Sequence, residues 1–166
     1  MTLTNAVDSS TTPTENRITS EERVEDAVRR LRELDLSGVR LKLADPLDGP
    51  GWDTAMIETI QRDYLRFLAL CCAYPDEKIV PSRDVDKFWH QHILDTHAYA
   101  EDTRRVFGRF LHHNPYFGTA PQTCEDLESA YSMTRSLYRR HFGVSISSSV
   151  SQCGGGDRCS SCAGPK

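Results

Sequence analysis

Five of the six histidines in this chain lie between His90 and His113, in the run Trp89-His90-Gln91-His92-Ile93-Leu94-Asp95-Thr96-His97 and in the pair His112-His113. Asp86, Asp95 and Asp102 are interspersed among them. Neutral imidazoles and carboxylates together suit a borderline cation such as Zn²⁺, Mn²⁺ or Fe²⁺. On an unbroken helix, at ~100° per residue, His90 and His92 point ~200° apart and cannot share one ion. Phe88, His92, Asp95, Tyr99 and Asp102 would share one side, and Asp86, His90, Ile93 and His97 the other. Each side pairs an imidazole with an acid three or four positions away, where side chains meet.

One helix cannot complete such a site, because His92 and Asp102 would be ~15 Å apart along a straight axis. His112-His113-Asn114-Pro115 is the natural further donor, provided that the chain turns back near Gly108. The candidate metal set is therefore His92, Asp95, Asp102 and His113, with His90 replacing His92 if the helix faces are reversed. The competing reading is a structural polar network, since Phe88, Trp89, Tyr99, Phe107, Phe110, Tyr116 and Phe117 crowd the same region. Tyr99 then reads as a core ring with a bonded hydroxyl, and His97 as part of a solvated face.

The tail offers a second candidate. Cys153, Cys159 and Cys162 have the two-residue gap of zinc and iron–sulfur loops among glycines, but supply only three thiols. A flexible tail with exposed thiols explains them as well. So does a modification substrate: the serines and cysteines from Ser145 to Cys162 could be dehydrated and closed into thioethers, with the body acting as a leader-type domain. Cys71, Cys72 and Cys124 read as small apolar residues.

The elements that must position these groups are helical. Thr19 to Glu22 forms a capping box, followed by Val24, Ala27, Val28, Leu31 and Leu34 at helical spacing, with Gly38 as terminator. Val39 to Leu43 alternates with period two, which predicts a short extended connection. A second helix from about Trp52 to Ala73 carries Met56, Ile60, Tyr64, Phe67 and Cys71 on a broad apolar face, and Pro75 stops it. The third begins near Ser82 and runs to about Phe107. The fourth starts at Thr123 and ends with Arg139, Arg140 and His141 before Gly143, the charge order that the helix dipole favours. The expected fold is all-α, a bundle of about four to five helices over residues 18–143. Residues 1–17 form a disordered arm, and residues 144–166 a flexible Ser/Gly/Cys-rich tail.

The 166 residues carry a net charge of −4, so nonspecific binding to nucleic acid is not expected. No apolar run is long enough to span a bilayer, and the amino end has no hydrophobic segment of a secretory signal. A cytoplasmic protein is the expectation. No glycine-rich loop follows a strand, so no nucleotide site is expected. A protein partner would be met through the C-terminal tail.

The run Ile79-Val80-Pro81-Ser82, Asp86 to Thr96, Tyr99, Asp102, Phe107-Gly108 and His112 to Tyr116 resembles the glycine-rich domain-containing protein-like family. Gly51-Trp52 and Tyr64 to Leu68 fit the same pattern, over about Leu36 to Gly118. That resemblance implies a helical domain and little mechanism. Its pattern commonly has Cys after the Asp, where this chain has Thr103, so no thiol ligand is available there. Three functions remain open: a metal-binding module, a metal-dependent hydrolase or oxygenase, and a non-catalytic interaction or leader-type domain whose His/Asp cluster is structural.

Overall fold

A computed structural model describes residues 18–117 and 124–146. The arm over residues 1–17, most of the tail with Cys153, Cys159 and Cys162, and Thr123 lie outside the described residues. The described chain is all-α, with six helices rather than four to five. In order these are α1 (Ser20–Leu31), α2 (Ser37–Ala44), α3 (Thr54–Ala73), α4 (Arg83–Leu94), α5 (Thr96–Phe107) and α6 (Cys124–Phe142). Among the described residues no helix is long and apolar enough to cross a membrane.

Helix α3 is the centre of the fold, packing on α1 along one side and on α4 along another. Its buried residues Ile57, Ile60, Tyr64, Phe67 and Leu68 recur at helical spacing, and Asp53 caps it by accepting from the Met56 amide. The capping box of α1 is present: the Thr19 hydroxyl accepts from the Glu22 amide, and the Glu22 carboxylate accepts from the Thr19 amide.

Two expectations about the elements fail. Val39 to Leu43 is helical, as part of α2, not extended. Val39 and Leu43, four apart, are buried while Leu41 between them is 73% exposed, so the apolar pair follows the helix and not the strand period. Gly38 accordingly lies inside α2, and α1 ends earlier, at Leu31. The predicted third helix is broken in two at Asp95. That residue ends α4 with φ −80° and ψ 73°, and its carboxylate accepts from the Ala98 amide to open α5. A side-chain acceptor followed by Thr is a good helix start, and here it outweighs continuation.

Helix α6 is held to the rest by side chains. Thr134 Oγ1 accepts from the Val80 amide at 2.9 Å, Tyr138 donates to the Asp63 carbonyl at 2.6 Å, and the Tyr74 hydroxyl lies 2.7 Å from His141 Nε2. Beyond Gly143, Ile146 adds a last buried residue.

Gly108 ends α5 at φ 70°, and nothing lies within 4 Å of where a Cβ would be. Only the backbone conformation resists a side chain there. Gly108→Ala is expected to lower stability by about 1 kcal/mol in urea denaturation. A second expectation concerns pH. Burial lowers the pKa of His141, against the pull of Glu21. The unfolded chain therefore protonates first, and stability present above about pH 6.5 is lost as the pH falls below it. Between pH 7.5 and 5.5 the thermal midpoint should fall, and His141→Gln should fall less.

Candidate metal centre

The break at Asp95 folds α5 back against α4. It brings Asp102 Oδ2 to 3.2 Å from His92 Nε2, although a straight helix would separate the two residues by ~15 Å. His92 is 2% exposed, and its Nδ1 lies 2.8 Å from the Tyr64 hydroxyl on α3. Burial lowers the His92 pKa more than Asp102 raises it, so the ring is neutral. The consistent tautomer donates from Nε2 to Asp102 and accepts at Nδ1 from Tyr64, whose own pKa burial raises. This linear arrangement, Tyr64–His92–Asp102, joins three helices. It uses both ring nitrogens.

Beside it runs a second connection. Trp89 Nε1 donates to the Tyr99 hydroxyl at 2.9 Å, and that hydroxyl donates to the Leu111 carbonyl at 2.6 Å. Tyr99 is thus a core ring with a bonded hydroxyl, 1% exposed. Its bond to Leu111 fixes the segment after Gly108, and the next residues pass the other face of α4. There the His113 ring lies 4.4 Å from that of Trp89, centroid to centroid.

On that face the described residues bring three donors together. His113 Nε2 lies 3.0 Å from Asp86 Oδ1 and 3.1 Å from His90 Nε2, and His90 Nε2 lies 3.7 Å from Asp86 Oδ2. Asp86 and His90 are one helical turn apart on α4; His113 comes from the returning segment. Asp86 and His113 are well covered, with side-chain exposures of 6% and 11%, while His90 is open at 46%. Asp86 sits in the first turn of α4, where the helix dipole favours a carboxylate.

These separations match a coordination sphere. An ion bound tetrahedrally at about 2.0–2.1 Å spaces its ligand atoms about 3.3 Å apart. A proton serves the arrangement less well. One hydrogen on His113 Nε2 can be aimed well at only one of its two close neighbours, whereas a cation accepts a lone pair from each donor.

The predicted residues therefore divide. His113 and His90 come together, and they do so with Asp86, the carboxylate four positions before His90. Among the described residues this is the one group of three such donors within mutual reach. His92 and Asp102 pair with each other in the interior, and Asp95 caps α5. The three lie on the face of α4 that carries Asp86 and His90. Asp86 is legible in the sequence as the (i, i+4) partner of His90, but the inward role of His92, which decides the face, is set by tertiary contacts. His97 is exposed, and so is His112, whose ring packs on Phe110.

An all-α domain with a His₂Asp cluster on the outer face of its fourth helix is thus the class that fold and site define. The family model that matches is UCP032817-like, over residues 39–135, more than half of the chain, and the chain belongs to that family. This corrects the resemblance to the glycine-rich domain-containing protein-like family. The residues that carried it, Trp89, His92, Tyr99 and Asp102, are those that lock α4 to α5, so the motif reports a packing arrangement and not a glycine-rich protein. No curated protein and no solved structure matches the chain.

The two histidine systems separate experimentally. His92→Leu strands the buried Tyr64 hydroxyl and the half-buried Asp102 carboxylate, and should cost about 3 kcal/mol of unfolding free energy. His90→Ala, at an exposed position, should cost less than about 1 kcal/mol. Equal costs in denaturant titrations would contradict this division.

Proposed function

We propose that this protein binds one divalent transition metal, Zn²⁺, Mn²⁺ or Fe²⁺, through Asp86, His90 and His113. The observation that carries this reading is the convergence of the three donors, with the close separations of 3.0 and 3.1 Å centred on His113 Nε2. Two imidazoles and one carboxylate are hard enough for Mn²⁺ and Fe²⁺ and suit Zn²⁺ equally. The buried Tyr64–His92–Asp102 arrangement supports the site from behind, by fixing α4 against α3 and α5.

A second reading, a metal-dependent hydrolase or oxygenase, is favoured by the number of donors. Three protein ligands are what catalytic zinc sites and facial-triad iron sites use, whereas structural zinc sites use four. The cysteine tail is, in this proposal, a separate and weaker thiolate site.

Calorimetric titration of metal-free protein with Zn²⁺ and Mn²⁺ tests the proposal. With Cys153, Cys159 and Cys162 replaced by serine, one site per chain should remain. Asp86→Asn and His113→Ala should each weaken it by at least about a hundredfold, since loss of a ligand exceeds the 10–100-fold cost of losing an outer partner. His90→Ala should weaken it similarly while the helical circular dichroism spectrum stays unchanged. Absence of a site in the serine variant, or an affinity in the Asp86 and His113 variants unchanged from that of the serine variant, overturns the proposal.

A further inference from the structure

Asp86 and His113, two of the three proposed metal donors, form part of the wall of a cavity of about 300 Å³. At ~30 Å³ per water, that is room for about ten water molecules, or a ligand of about ten non-hydrogen atoms. Such a volume lies at the small end of ligand sites. Most of the remaining wall is apolar, with Phe67, Val80, Trp89, Leu111 and Leu127 among it. An apolar body would be desolvated there.

The charged groups on the same wall are unevenly used. Glu77 and Asp86 are the acids, Lys78 and Arg109 the bases. The Lys78 ammonium lies over the Phe117 ring, 5.2 Å from its centroid. Arg109 makes no ion pair among the described residues, and its charge is felt at the thiol of Cys71, another wall residue. Burial dominates at that thiol and holds its pKa well above the ordinary value, with Arg109 pulling the other way. The two bases balance the two acids before any metal is bound. A divalent cation at Asp86, His90 and His113 leaves the wall with a net positive charge, felt most at the covered end formed by Asp86 and His113, since Glu77, Lys78 and Arg109 are exposed.

We infer that this cavity binds a small organic acid, an apolar body of about ten non-hydrogen atoms bearing one carboxylate, held between the metal centre and Arg109. The inference rests on the metal reading for part of its affinity and on Arg109 and Lys78 for the rest. An uncharged molecule of the same shape meets the same apolar wall but gains nothing from the cations. A carboxylate gains from both, which makes charge the discriminating feature.

Benzoate and benzamide, of nearly equal shape and differing in charge, are suitable probes, titrated calorimetrically into the full chain with and without Zn²⁺. In the zinc-loaded protein benzoate should bind at least tenfold tighter than benzamide. Zinc should tighten benzoate by at least tenfold and leave benzamide within threefold. Arg109→Ala should weaken benzoate by about fivefold while zinc affinity, measured separately, changes less than twofold. If zinc binds and benzoate then shows no preference over benzamide, or does not bind, the inference fails and the metal reading stands. If zinc does not bind, the metal reading fails. The comparison in metal-free protein then decides the cavity: a preference for benzoate that Arg109→Ala removes retains it, and equal binding of the two probes overturns it.

Discussion

The helix break at Asp95 is the constraint on which the rest of this structure depends. One carboxylate ends α4 and opens α5, and the backbone there leaves helical geometry for a single residue. Because α5 then folds back, groups ten positions apart become hydrogen-bond partners: His92 with Asp102, and Trp89 with Tyr99. Tyr99 in turn holds the Leu111 carbonyl, and the left-handed Gly108 lets the chain reach it. Every position in the candidate metal centre follows from this sequence of attachments.

Helix α4 thereby uses two faces for two kinds of polar chemistry. The inner face carries His92, whose nitrogens are both engaged and whose burial favours the neutral ring. A group so enclosed contributes to holding three helices together, because leaving either partner unpaired in the interior would be costly. On the outer face, Asp86 and His90 meet His113 around a point that remains partly accessible through His90. The cluster thus has solvent on one side, at His90, and an apolar wall on the other. The aromatic ring of Trp89 separates the two systems, donating to Tyr99 while its face borders His113.

Membership of the UCP032817-like family assigns the chain to a lineage without assigning it an activity. The functional content therefore comes from the site. Two imidazoles and one carboxylate are a donor set that suits a borderline or hard divalent metal. The adjoining cavity is small and mostly apolar, and its wall carries Arg109, which makes no ion pair among the described residues. Both observations are of donor chemistry and charge, independent of fold analogy.

The sequence by itself determined the helical class, the capping box at Thr19, the buried face of α3 and the importance of the turn at Gly108, since these follow from local periodicity and backbone preferences. It also placed His90 and His113 among the donors and paired Asp86 with His90 by spacing. Which face of α4 would look inward was not decided locally, because both faces carry an imidazole and an acid at equivalent spacing. The short α2 is ambiguous for a similar reason: Val39, Leu41 and Leu43 satisfy a strand period while Val39 and Leu43 satisfy a helix period, until burial selects the outer two. Tertiary structure made the choice. Only Tyr64 on α3 and Asp102 on the folded-back α5 could satisfy both nitrogens of a buried ring, so His92 went inside and left His90 on the face of the candidate cluster.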